Sequence, residues 1–492
     1  MYAAPHRDRE RIDGLATFAA AAFLTALGLV AALARVGAPD RVVAALGPFI
    51  AVMGLVVLGL VNRTTRLGDF LAARRAVPPF YAGMALTATA AGFALAFGGE
   101  AAEAFAPWPA AAAGLVGAAL IVGPLLRRAN ASAAADLLAT RFQAAPIRLV
   151  FALAIFVVGG LTAAAGFAVA VETLAAAAGL SRRLAEVAIA TTLVAGVVPG
   201  GLRGLLWSDA ASAGAALAVA AIGATLAWNG GGGGGVAAEW LAIPAEPNDA
   251  AFLLRSAAGA FALAGFLPFA MPSLGAPQGE AQRAGGVGLI LVLIAAALGA
   301  AASVGFADIG AARSPTATAL VGAAAWLPAA ALARAGVLTA GRGFGVDLSA
   351  AYARFAVLAS RRIAVSRLTM LVVIGASAVA VDRGVVDPPR ALAWALGVNL
   401  ALVTPAVALA LAERGGARSA AVLLATAAVT FAVGLGPAWR SAPPQQILVA
   451  ALVAGALGLL AGALGALFER REPPSDATPF DPFADLPFAA PE

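Results

Sequence analysis

The sequence predicts an all-α, polytopic integral membrane protein with about 14 transmembrane helices. Three observations predict it. Of 492 residues, 62% are hydrophobic and only 12% are charged, about half the roughly 25% charge of a soluble domain. Fourteen apolar stretches approach the roughly 20 residues a bilayer span requires. Two of these stretches carry glycine and proline at matching places in the order of spans.

The composition excludes a soluble enzyme and a disordered chain. The formal net charge is +6, and all 32 basic residues are arginine. Arginine between long apolar runs is the charge of cytoplasmic loops, so nucleic acid is not an expected partner. There is no cysteine, hence no disulfide and no thiolate metal site. The one histidine, His6, lies in the polar N-terminal tail. Zinc chemistry and Ser-His-Asp hydrolysis therefore lack material. No enzymatic activity and no metal are expected, and no cofactor beyond a coupling cation, proton or sodium.

The spans run Gly14–Val36, Arg41–Val61, Pro79–Phe105, Pro109–Leu126, Pro146–Val171, Leu184–Pro199 and Ala210–Trp228. They continue with Asp249–Gly275, Ala284–Ala307, Thr316–Ala340, Ser366–Val381, Arg390–Ala412, Ala417–Gly436 and Gln445–Phe468. The first is read as a span and not a cleaved leader, because a second follows at once. Abundant alanine lets such helices approach closely. With cytoplasmic termini, 22 arginines fall inside and 9 outside, the positive-inside bias. Trp108, Trp228, Trp240 and Trp439 then lie near external span ends and Trp207 near an internal one. Trp326 and Trp394 read as core packing.

The third span contains Gly92 and then Gly98-Gly99 before Glu100. The eighth contains Gly265, Pro268, Pro272 and Gly275. Such residues interrupt the helical ladder, and the freed backbone groups must line a cavity or be buried in protein. Counted from the third span, these are helices one and six of a ten-helix set. Interruptions at matching positions of two five-helix halves point to an inverted-repeat transporter. The division is 1–76 for the tail, two leading helices and a cytoplasmic loop, then 77–229 for the first repeat. A Gly-rich external loop spans 230–248 and the second repeat 249–412. Two further helices occupy 413–468 and a Pro-rich acidic tail 469–492.

Several stretches resemble the sodium:solute symporter family, with the closest likeness to its acetate-permease-like bacterial branch. They are Arg63-Thr64-Thr65 with Asp69 to Pro79, Gly83-Met84-Ala85, Ala135 to Phe142, and Gly200 to Asp209. Phe266-Leu267-Pro268 through Met271 and Asp347-Leu348 extend the likeness. The resemblance implies a LeuT-like core of five plus five helices with two before and two after. It implies sodium-coupled symport of a small organic solute, often a monocarboxylate such as acetate or an amino acid, across a bacterial inner membrane. Solute contacts are then expected at Thr89, Gly92, Phe93, Phe97, Gly98, Gly99, Glu100, Pro268 and Phe269.

Departures bear on the coupling. Where the family has an aspartate in core helix one, this chain has Thr89. Where it has adjacent hydroxyls in core helix eight, the chain has Ala331 and Leu332. Sodium, a hard cation, takes oxygen ligands, so little sodium dependence is expected. Arg334, one helical turn from Ala331, is expected to stand in for the cation. It would donate to freed carbonyls around Ala90, Ala91 and Phe93, or to a solute carboxylate. The alternative is an arginine that snorkels to the cytoplasmic interface, the helix ending early at Gly341 and Gly343.

Other polar groups have two readings each. Glu100 and Glu103 share a helix face and are either functional carboxylates or solvated at the external interface. Thr87, Thr89 and Thr162 bond their own helix or a solute. Asn399 and Thr404 read as interhelical glue. Phe93, Phe97 and Phe269 wall a solute site or simply pack. Arg203 follows Gly200-Gly201 and has a structural role or reaches an acidic partner such as Asp209. The tail offers a docking segment for a cytoplasmic partner, or none. The alternative to transport is an inactive family member serving as a membrane sensor or partner subunit.

Overall fold

The computed structural model describes residues 6–97, 108–128, 137–138, 141–142, 145–229, 250–277, 279–308, 314–351, 359–412, 416–436 and 441–468. Gly98, Gly99, Glu100, Glu103, the loop 230–248 and the tail 469–492 lie outside these residues, and so do the expectations placed on them.

No water reaches the bilayer core to satisfy backbone groups, so an apolar span must close its own ladder as a helix. Helices α1 (His6–Arg35) and α2 (Asp40–Val61) lead, and the short α3 (Leu67–Ala72) precedes α4 (Pro79–Phe97). Helices α5 (Trp108–Gly117) and α6 (Gly123–Arg128) flank a π turn, Ala118–Val122. Then come α7 (Ala145–Ala178), α8 (Arg182–Val197) and α9 (Gly201–Asn229). The second half holds α10 (Ala250–Ala264), α11 (Leu267–Leu274), α12 (Ala281–Asp308), α13 (Pro315–Ala324), α14 (Leu327–Ala351) and α15 (Ala359–Asp382). It closes with α16 (Pro388–Val398) and α17 (Thr404–Leu411) around a second π turn, Asn399–Val403. Helices α18 (Ala417–Leu435) and α19 (Pro444–Phe468) follow.

The chain is a multi-pass membrane protein. Among the described residues, 13 segments are long and apolar enough to cross a bilayer. The remaining expected span, Leu184–Pro199, is helix α8 with 16 residues. That is about 24 Å of helix, short of the roughly 30 Å hydrocarbon core. It nests against α2, α7, α9, α14 and α15.

The most extensive helix pair joins the halves: α7 runs along α14. A methyl on Gly159 would stand 2.6 Å from the Gly336 carbonyl oxygen, and one on Gly336 would stand 2.7 Å from that of Gly159. Without side chains at these positions the two backbones touch, which is how membrane helices gain packing where lipid supplies no hydrophobic drive.

The expected break in the eighth span is present. Helices α10 and α11 part at Gly265 and Phe266, the latter extended at φ −68° and ψ 108°. Pro268 has no N–H to continue the ladder. Asn399 Nδ2 donates to the Gly265 carbonyl at 2.8 Å and lies 3.1 Å from Thr404 Oγ1. The pair read as interhelical glue thus covers the break.

Two expectations are corrected. Helix α4 runs unbroken through Gly92; a glycine keeps its N–H, so the ladder survives it. Conversely, the span drawn as Thr316–Ala340 divides at Ala325–Trp326. Pro328 there leaves the Ala324 carbonyl without its helical donor and crowds it. Trp326 fills the turn, fully buried, with Nε1 donating to the Gly322 carbonyl at 3.0 Å. Trp394 packs edge-on against Phe431 at 5.9 Å, so both tryptophans expected in packing roles have them.

Candidate functional site

The α10–α11 break opens toward the second half of α4, and aromatic rings fill the space between. Phe93 lies 4.9 Å from Phe97, 5.8 Å from Phe266 and 5.5 Å from Phe269, centroid to centroid. Phe266 meets Phe269 edge-on at 5.2 Å. All four are buried, as is Pro268. Three of these rings were expected beside the break. Phe266 was missed as a wall residue. The signal for it in the sequence was its place, directly after Gly265 and two residues before Pro268.

The threonines are spent on helices. Thr89 Oγ1 donates to the Ala85 carbonyl at 3.1 Å, and Thr162 Oγ1 to that of Val158 at 2.7 Å. Thr87 Oγ1 lies 3.0 Å from its own helix's Gly83 carbonyl and 3.2 Å from Gly288 of α12, tying α4 to that helix. Such back-bonding satisfies a hydroxyl that has no water.

Arg334 does not snorkel. Its side chain is fully buried in the first third of α14, which continues to Ala351. Nε donates to Asp209 Oδ1 at 2.6 Å, and Nη2 donates to Ser212 Oγ at 2.7 Å. Asp209 and Ser212, both fully buried, belong to α9. Ser212 Oγ in turn donates to the Ser208 carbonyl at 2.8 Å. Beside this pair Ala331 packs on Ala88, Ala213 and Met84. Leu332 faces Gly92 across the α4–α14 crossing, next to Pro328. The guanidinium therefore reaches α9, and the carbonyls of Ala90 and Ala91 belong to an unbroken helix.

Asp209 is thus not the partner of Arg203. Arg203 Nη1 lies 3.8 Å from Asp69 Oδ2, and Arg74 Nε meets Asp69 Oδ1 at 2.5 Å. Asp69 is buried, while both arginines are substantially exposed. Ala73, Arg74 and Arg75 all have positive φ, folding the chain back after α3 so that Arg74 reaches Asp69. Gly201, at φ +57°, leaves room for the Phe70 carbonyl, which a methyl there would approach to 2.3 Å. Two stretches singled out in the sequence, Asp69–Pro79 and Gly200–Asp209, meet at this contact.

Sodium fits these residues poorly. It needs convergent oxygens. Here the Thr89 hydroxyl bonds Ala85, while Ala331 and Leu332 carry no side-chain oxygen. The nearby buried carboxylate, Asp209, already holds a guanidinium.

The chain shares its fold with a sodium-coupled sialic acid symporter. That structure is a substrate-bound, outward-open state with a novel Na+ site. It matches 88% of this chain and 98% of its own, at a TM-score of 0.68 and 15% sequence identity. A nucleobase-cation-symport-1 family transporter, closed with bromovinylhydantoin bound, aligns over 83% of this chain and 94% of its own. Its TM-score is 0.42 and its identity 18%. No protein-family model matches the chain, and no curated protein sequence does. The first likeness establishes the fold as the expected LeuT-like, all-α arrangement; none of these matches bears on the acetate-permease-like branch.

Proposed function

We propose that the protein is a secondary transporter of a small organic solute, a monocarboxylate such as acetate, working by alternating access in a bacterial inner membrane. The observation that carries this reading is the α10–α11 break facing the aromatic stretch of α4 within a LeuT-like fold. The N-terminal end of α11 lies inside the span, and the positive end of a half-helix favours an anionic group. Phe93, Phe97, Phe266 and Phe269 suit the short apolar remainder of such a solute. In this reading Thr89, Gly92 and Pro268 belong to the same site, with Gly98, Gly99 and Glu100, which follow Phe97 directly in the chain.

Coupling in this reading does not depend on sodium, because Ala331 and Leu332 carry no side-chain oxygen, the Thr89 hydroxyl bonds its own helix and Asp209 is already paired with Arg334; a proton gradient or exchange drives uptake. Both termini face the cytoplasm, supported by the arginine distribution, and a C-terminal reporter active only outside would refute that orientation. The test of function is uptake of labelled acetate, pyruvate, lactate and amino acids into proteoliposomes. Saturable uptake of a short monocarboxylate is expected, unchanged when choline replaces sodium at constant membrane potential. Uptake that collapses in choline refutes sodium independence. Failure with every solute favours the sensor or partner-subunit reading, which the loss of hydroxyl and carboxylate groups from core helices one and eight motivates.

A further inference from the structure

Among the described residues, three fully buried polar atoms around Arg334 have no hydrogen-bond partner: its own Nη1, Asp209 Oδ2 and Ser208 Oγ. They belong to one cluster of side chains joined by the Arg334–Asp209 and Arg334–Ser212 contacts and bordered by Gly196. A methyl on Gly196 of α8 would lie 3.2 Å from Arg334 Cδ and 3.4 Å from Ser208 Oγ. Glycine at 196 therefore makes room for the arginine stem beside the serine. The cluster is built from three helices, α8, α9 and α14.

We propose that Arg334 is a covalently held cation: its guanidinium occupies a cation seat formed by Asp209, Ser208 and Ser212, so that the protein binds no free monovalent cation there. The reasoning is electrostatic. Asp209 is fully buried and carries one negative charge, which Arg334 neutralises at hydrogen-bonding distance. A free cation arriving at Asp209 would give the cluster a net positive charge where no water screens it, and an arginine on a helix cannot leave to make room. Planarity and several fixed donors allow the guanidinium to serve two helical turns of α9 at once, through Asp209 and Ser212. Cutting the side chain back at position 334 would leave a carboxylate, two serine hydroxyls and a guanidinium-sized void. That oxygen set suits a small cation or a free guanidinium ion.

This inference deepens the sodium-independent reading and rests on it for coupling, but its test reads binding, so a protein that moves no solute still decides it. The full-length protein in detergent is unfolded thermally in choline chloride, in sodium chloride, and in choline with a few millimolar guanidinium. The wild type is expected to melt at one temperature in all three. R334A should melt several degrees lower in choline and recover part of the loss with guanidinium or sodium. R334A/D209N should melt at one temperature throughout, because the carboxylate that holds the ion is gone. An R334A midpoint indifferent to all three salts, or rescue that persists in R334A/D209N, overturns the proposal. Calorimetric titration of the wild type with sodium adds an arm that no folding defect touches. Absence of saturable heat is expected, and saturable binding that is lost in the apolar double variant R334M/D209L overturns the proposal.

Discussion

Gly92 and Pro328 meet backbone to backbone: a methyl group on Gly92 would stand 2.0 Å from the Pro328 carbonyl oxygen. Pro328 is the residue that divides α13 from α14, so α4 is pinned at the turn of its partner from the other half. A glycine that reads as a helix break in the sequence is a contact point in the fold.

Gly92→Ala should therefore destabilise the protein by about 1–3 kcal/mol, the usual scale of overpacking. The gain in helix propensity, about 1 kcal/mol, does not compensate a clash with backbone. Thermal unfolding in detergent measures it, and a variant as stable as the wild type would show that α4 and α14 can separate.

The buried pair should behave asymmetrically. Asp209→Asn alone leaves Arg334 as an uncompensated buried charge and should cost about 3–5 kcal/mol. Replacing both partners with apolar side chains, Arg334→Met with Asp209→Leu, should recover most of that loss. Equal instability of the single and double variants would mean that packing, and not charge, sets the penalty.

At the α3 contact the partners should differ. Arg203→Ala should change stability by less than about 1 kcal/mol, since Arg203 is exposed and 3.8 Å from its partner. Asp69→Ala removes bonds from Arg74 and Thr64 at once and should cost about 1.5–3 kcal/mol. Reversed magnitudes would place the weight of this contact on Arg203.

Asn399→Leu leaves the Gly265 carbonyl at the break without its donor. A buried acceptor left alone costs about 1–3 kcal/mol. Solute uptake should fall with stability, because the α10–α11 break loses the side chain that holds it against the second π turn. Normal stability in this variant would mean that another donor takes the carbonyl.

What was legible in the sequence follows from properties that act locally. Apolar length specifies a span, and a proline removes a donor wherever it stands, so the spans and the Gly265–Pro268 break could be read residue by residue. The division at Pro328 obeys the same rule and was there to be read. So were the α4 rings, since Phe93 and Phe97 stand four apart on one continuous helix and share a face. Arg334 was also visible as a charge inside a span that needs a partner, because it is not stable alone in an apolar medium, whereas Asp209 reads as a loop residue just before the span Ala210–Trp228.

Naming that partner required the tertiary structure. Arg334 and Asp209 are 125 positions apart, and nothing local to either residue names the other; only the packing of α9 beside α14 places them together. The same holds for Arg203, for which the sequence suggested Asp209 and which takes Asp69 because α3 packs against α9. Gly92 is the converse case: glycine permits a break and permits a close approach, and whether Pro328 lies opposite decides which. Local sequence sets what each helix is able to do, while partner choice depends on which backbones come close enough to exclude water and lipid between them.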